Sequence, residues 1–177
     1  MLISEQVISR AKNYDSEALT EICEYYYSKI YNYIFYKVST REDTEDLTHE
    51  VFVKMVKNIT TLQGNIESWL YTIARNLIID YYRKRENSKL GTAMTQEYQE
   101  TETDFTEYVS GEDLRHQLQK LPQEQQDVVI YKFINDFSNK QIADFLGKTE
   151  GAIKSLQFRA VRSLRKMLSK GEKWETE

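Results

Sequence analysis

Residues 138–168, SNKQIADFLGKTEGAIKSLQFRAVRSLRKML, leave little freedom to the chain that carries them, because they spell two short helices around a glycine turn. Ser138 is placed to cap the first helix, and Gln141 three residues later completes a capping box, so helix starts at Asn139. Gly147 supplies a left-handed stop, and Thr149 caps the second helix. Advancing about 100° per residue from Ile153 sets Leu156, Ala160, Leu164, Met167 and Leu168 on one inward side. The other side carries Lys154, Ser155, Phe158, Arg159, Arg162, Arg165 and Lys166, with no acidic residue between Lys154 and Lys170. This is a helix-turn-helix with a basic second helix, and a phosphate backbone is the natural partner of such a face.

A basic helix face taken alone is often only solvated. Two details point past that reading. The charge is of one sign, and Phe158 stands in the middle of the polar face, where a ring has no core to reach and a thymine methyl or a sugar is a fitting contact.

Charge is polarised along the chain. Residues 1–85 hold 11 basic and 12 acidic side chains, residues 86–113 hold 1 and 8, and residues 114–177 hold 12 and 8. The net charges are −1, −7 and +4, so the overall −4 conceals a basic C-terminal part. The acidic stretch 86–113, rich in Thr, Glu, Gln and Ser, is too polar to bury a core. It is expected to be a flexible linker able to span several tens of ångströms if extended. The chain is then two small domains, 1–85 and 114–170, with a short tail at 171–177.

One proline, six glycines and few long alternating runs predict an all-α protein. Helices are expected over 3–12, 16–38, 42–58 and 66–86, the second turning Leu19, Ile22, Cys23, Tyr26, Ile30 and Ile34 inward. In the C-terminal part a helix from 112 should stop at Leu121, and Pro122 should open another running to Asn135.

Several classes drop out. The N-terminus lacks the basic start and apolar run of a signal peptide, and no segment approaches the roughly 18 apolar residues of a membrane span, so a cytoplasmic protein without membrane insertion is expected. Lone Cys23 has no internal disulfide partner and is expected as a small buried hydrophobe. His49 and His116 lack neighbours for a zinc site or a Cys/His dyad, and there is no glycine-rich phosphate loop or nucleophile elbow. No enzyme, metal, cofactor or small-molecule substrate is expected.

The helix in ESWLYTIARNLIIDYYRKR is the second informative element. Leu70, Ala74, Leu77, Ile78 and Tyr81 project to one side, and Thr72, Arg75, Asn76, Ile79, Asp80 and Arg83 share the other. Its end, Arg83–Lys84–Arg85 after Tyr81–Tyr82, puts cations beside π-faces, as a binder of unstacked bases requires. Aromatics at helical spacing are more often core, the reading favoured for Trp69 and Tyr81; Arg75, Asn76 and Arg83 are better contacts.

DTEDLTHEVFVKMVKNI, WLYTIARNLIIDYYRKR, an acidic spacer, and LPQEQQDVVIYKFINDFSNKQIADFLGKTEGAIKSLQFRAVRSLRKML together resemble the second and fourth regions of the extracytoplasmic-function sigma factors of bacterial RNA polymerase. The resemblance covers nearly the whole chain, in the right order. It implies that Asp46, Leu47, His49, Glu50 and Phe52 bind the β′ clamp of core polymerase, with His49 standing where the family commonly has glutamine. It implies that Trp69, Arg75, Asn76, Asp80 and Arg83 read and melt the −10 element, and that a loop ahead of them, about two residues shorter here, captures a flipped base. Lys154, Ser155, Phe158, Arg159 and Arg162 would read −35 duplex DNA, while Leu156 and Val161 stand where arginines are frequent. The linker would cross the RNA-exit path and mimic nascent RNA. Further implied partners are the β flap, duplex and single-stranded promoter DNA, and an anti-sigma factor, the free protein being monomeric.

Two function classes fit these residues: a dissociable initiation subunit, and a transcription regulator whose N-terminal helices sense an effector or dimerise. The basic, aromatic fourth helix separates them, since a ligand-sensing domain has no reason to display it.

Overall fold

The computed structural model of the chain describes residues 3–89 and 111–171. The linker expected at 86–113 therefore lies, from 90 to 110, outside the described residues, as does the tail from 172. The described residues form helices joined by short turns, with no strand among them. The helices are α1 (Glu5–Lys12), α2 (Ser16–Phe35), α3 (Arg41–Asn58), α4 (Ile66–Lys89), α5 (Gly111–Gln119), α6 (Gln123–Val129), α7 (Asn139–Leu146) and α8 (Glu150–Gly171).

Each start in the N-terminal half has a local cause. Ser4 accepts from the Val7 N–H, Asp15 from Ala18 at 2.9 Å, Thr40 from Asp43 at 3.0 Å and Asn65 from Ser68 at 3.1 Å, each satisfying a first-turn amide that the helix itself cannot. The Ala18 amide, and then Arg10, hold the Asp15 carboxyl below its ordinary range. A 3-10 turn (Ile59–Thr61) and Gly64 at φ +74° bend the chain from α3 into α4.

α1 starts at Glu5 rather than 3 and α5 stops at Gln119 rather than Leu121, and larger departures occur elsewhere. α2 ends at Phe35 rather than 38, and the carbonyls of Tyr36, Lys37 and Val38 just past it accept from side chains of other elements. α4 continues to Lys89. The helix opened by Pro122 widens over Ile130–Ile134 into a π turn, where Asn135 N–H reaches back to Ile130 C=O at 3.0 Å.

The N-terminal core is built from Ile22, Tyr26, Ile30 and Ile34 of α2, Val51 and Met55 of α3, and Leu70, Ala74 and Leu77 of α4. In the C-terminal half, α8 closes over α5, α6 and α7 through Ile153, Leu156 and Ala160.

The halves do not stand apart. Their buried side chains form one continuous cluster, joined along a seam where α2 and α4 meet the π turn and α7. Tyr33 stacks on Tyr131 at 5.2 Å, and Tyr71 meets Phe137 edge-on at 5.3 Å and stacks on Phe145 at 5.9 Å. Polar links cross the seam as well. Gln126 donates to Tyr36 C=O at 3.0 Å, and Arg115 and Gln119 both donate to Val38 C=O, at 2.8 and 2.9 Å.

Candidate nucleic-acid interface

The helix-turn-helix forms as its residues dictate. The Ser138 hydroxyl accepts from Gln141 N–H at 3.2 Å while the Gln141 side chain accepts from Ser138 N–H at 3.0 Å, closing the capping box. Gly147 sits at φ 61°, ψ 38°, the left-handed stop, and Lys148 N–H returns to Ala143 C=O. Thr149 accepts from Ala152 N–H at 3.2 Å and starts α8. Gln157 donates to Asn139 at 2.7 Å, fixing the second helix against the start of the first.

This frame leaves Lys154, Ser155, Phe158, Arg159 and Arg162 exposed together, with Phe158 at 69 %. Ser155 Oγ donates to Gly151 C=O at 3.0 Å, and Arg159 Nε to Ser155 C=O at 3.3 Å, so the guanidinium is steadied along the helix. Leu156, which helical projection sets inward, is buried. The inward stripe weakens toward its end. Leu164 and Met167 are half-buried, and Leu168, expected to pack inward, is 39 % exposed because α8 outruns the core beneath it.

On α4, Thr72, Arg75, Asn76, Ile79 and Arg83 are exposed and Asp80 is half-exposed, so the polar face lies where the periodicity sets it. Arg83 and Asp80 pair with one another at 2.9 Å. Trp69 and Tyr81 are half-buried against the core, the placement favoured for both. Tyr81 donates to Asp43 at 2.7 Å and accepts from Arg85, which ties the end of α4 to the start of α3. Desolvation first, and the Asp43 bond second, push the Tyr81 phenol up to about 12.

On α3, Asp46, His49 and Glu50 are exposed. Leu47 and Phe52 are instead buried, Phe52 stacked on Tyr27 at 5.8 Å and Leu47 at the floor of a groove, so these two mainly seat the helix. A groove of about 460 Å³ between α3 and α4 brings Glu50 together with Asp80, and adds Lys54 and Lys84. Sequence reasoning named Lys84 only as part of the basic end of α4 and missed Lys54, whose only signal was its spacing from Glu50 along α3.

His49 and His116 are both exposed, and among the described residues no group of three His, Cys, Asp or Glu side chains is placed to hold a metal ion. No helix among the described residues is long and apolar enough to cross a membrane. Cys23 is half-buried, and burial raises its thiol pKa.

Sigma-70 region 2 matches residues 22–88, and Sigma-70 region 4 matches residues 111–164. A chain carrying both, with a capped helix-turn-helix in the second, is a transcription initiation factor of the sigma-70 class. Among its relatives, ECF RNA polymerase sigma factor SigX of Bacillus subtilis is 32 % identical over 152 residues, 80 % of this chain and 78 % of SigX. ECF RNA polymerase sigma factor EcfG of Rhodopseudomonas palustris is 35 % identical over 130 residues, 70 % of each chain. BldN of Streptomyces coelicolor is 33 % identical over 171 residues, 92 % of this chain, which spans 65 % of BldN. The chain belongs to the ECF family of RNA polymerase sigma factors. In fold it is similar to CnrH solved with the cytosolic domain of CnrY, at TM-score 0.73 and 18 % identity over 95 % of this chain and 98 % of that one. It is likewise similar to the sigma factor RpoE solved with the anti-sigma factor NepR from Bartonella quintana, at TM-score 0.71 and 22 % identity over 85 % and 96 %.

Proposed function

We propose that this protein binds core RNA polymerase and directs it to promoters with two contacted elements, reading the −35 element as duplex and melting the −10 element. The observation that carries this is the pairing of two exposed faces in one chain. One is the α8 surface of Lys154, Ser155, Phe158, Arg159 and Arg162, whose cations meet phosphates while Ser155 and Phe158 reach base edges. The other is the α4 surface of Arg75, Asn76 and Ile79, which offers an amide, an apolar side chain and a guanidinium to unstacked bases. Asp80 and Arg83 act there as a pair, Trp69 supports the helix from beneath, and Asp46, His49 and Glu50 of α3 form the polymerase surface above seated Leu47 and Phe52.

In this reading residues 1–85 act as the polymerase and −10 unit, 114–170 as the −35 unit that also meets the β flap, and 86–113 as the connector. The protein itself is no catalyst, works in the cytoplasm and takes an anti-sigma factor as partner, in keeping with the complexes of CnrH and RpoE. Run-off transcription with purified core polymerase on a promoter library tests the reading. Polymerase-dependent transcripts from a subset of promoters are expected; no transcript, with duplex binding by the free chain retained, would replace it with a stand-alone DNA-binding regulator.

A further inference from the structure

At the centre of the seam, Lys37 Nζ lies 2.6 Å from Asp127 Oδ1, with side-chain exposures of 3 % and 1 %. Tyr33 O–H donates to the same carboxylate oxygen at 3.2 Å, and the Lys37 ammonium sits 5.3 Å from the Tyr33 ring centroid. Lys37 lies just past the end of α2 and Asp127 is on α6, so one charge of the pair comes from each half. A buried ion pair contributes little net stability, yet removing one partner strands the other charge in a dry site. Between two halves that separate, each charge escapes that penalty by returning to water. Such a pair therefore adds little to closure while both members are present, and it yields once the seam is wetted as an apolar contact would not.

The closed arrangement conflicts with contacting both promoter elements. The −10 and −35 elements lie about 25 base pairs apart by their own numbering, on the order of 85 Å at ~3.4 Å per pair. In the structure, Tyr71, one turn before Arg75 on α4, is stacked on Phe145 of the helix-turn-helix. Glu124 is ion-paired to Lys148 at 2.8 Å, and both Arg75 and Arg159 exert a further Coulomb pull on that carboxylate. Pulls of this kind fade beyond about 10 Å in 0.1 M salt. The helix matched to the −10 element and the helix matched to the −35 element are thus held within a few tens of ångströms of each other. The seam also contains a built-in weakness: the Tyr71 hydroxyl and the Asn135 amide are buried facing one another without a well-formed hydrogen bond.

We propose that the buried Lys37–Asp127 pair is a releasable latch: intact, it lets the α2–α6 seam of the free sigma factor close, and by returning to water it lets the seam part before the chain engages both promoter elements. The proposal rests on the functional reading above for its consequence, though not for the latch itself. The test uses the full chain in two arms. Small-angle scattering and far-ultraviolet circular dichroism of Asp127→Ala and Lys37→Ala should show a larger particle with helicity kept, while the wild type stays compact. The double variant Lys37→Met/Asp127→Leu, which replaces the pair by apolar groups that gain nothing from water, should stay compact. With core polymerase it should give on the order of tenfold less run-off transcript than wild type from a linear duplex promoter. Single variants as compact as wild type would overturn the latch, as would a double variant transcribing at the wild-type rate. If the single variants lose helicity, the double variant's transcription decides. A wild type that is inactive with polymerase would instead defeat the functional reading, and the scattering arm would still judge the latch.

Discussion

Tyr71 of α4 stacks on Phe145 of α7, 74 positions further along the sequence, with ring centroids 5.9 Å apart and an interplanar angle of 26°. Through this contact the helix proposed to face unstacked bases leans on the motif proposed to read the duplex. Free protein in this arrangement is expected to bind a promoter duplex poorly, and the complex with core polymerase to bind and open it. Tight sequence-specific binding by the isolated full chain in a gel-shift titration would contradict this.

Lys154→Ala and Arg159→Ala should separate binding from folding. Both side chains are exposed, and the Arg159 hydrogen bond is to its own helix, so stability should move by no more than about 0.5 kcal/mol. Promoter activity should fall and its salt dependence should become shallower, because each change removes a cation from the DNA face. A thermal melt displaced by many degrees would mean that the face is turned inward.

Ile153→Ala should do the opposite. Ile153 has no exposed surface, and truncating it is expected to cost about 2–5 kcal/mol in urea denaturation. Leu164→Ala should cost clearly less, because Leu164 is only half-buried near the end of the stripe. Equal costs would show that the helix continues to pack as tightly at Leu164 as at Ile153.

Asn76 offers the sharpest test of melting. Its amide is exposed on the same face as Arg75 and Ile79, and can give one donor and one acceptor to a base edge. Asn76→Ala should keep the fold and the affinity for core polymerase but reduce open-complex formation on duplex DNA. On a template already mismatched across the −10 element, permanganate footprinting should show the defect shrink if Asn76 aids opening, and persist if it only reads bases.

Alkali should undo the seam. Burial pushes the phenols of Tyr33, Tyr71 and Tyr131 well above their ordinary value of 10, and Tyr81 up to about 12. Above pH 10 the unfolded chain releases these protons while the native chain retains them. Native protein then binds more protons than unfolded, and stability falls as pH rises. A phenolate absorbance titration should therefore show part of the tyrosines ionising only together with loss of helical signal, between pH 10 and 12. Normal titration of all of them in folded protein would rule out this burial.

The range of the forces involved decides which features are legible in the sequence. The capping box at Ser138, the Gly147 stop and the polar faces of α4 and α8 depend on residues within a turn or two of each other, so their spacing is enough. Tyr33, Lys37 and Asp127 are different. Asp127 lies 94 residues from Tyr33 and 90 from Lys37, and each has an ordinary local explanation: an aromatic near a helix end, a cation after it, an acid on a polar helix. Nothing periodic marks them as partners. The turn that follows α2 was illegible for the same reason, since Arg115, Gln119 and Gln126 bond the Val38 and Tyr36 carbonyls from far along the chain.

The make-up of the seam bears on solubility. Beside Phe137 and Phe145, its centre holds tyrosines, amides and a buried ion pair where an ordinary core would hold leucine and isoleucine. Phenols and charges carry polar atoms that water satisfies at once, so a face of this kind, when uncovered, is no adhesive apolar patch. A chain whose halves part can thus stay dispersed at concentrations where an aliphatic seam would gather molecules into aggregates.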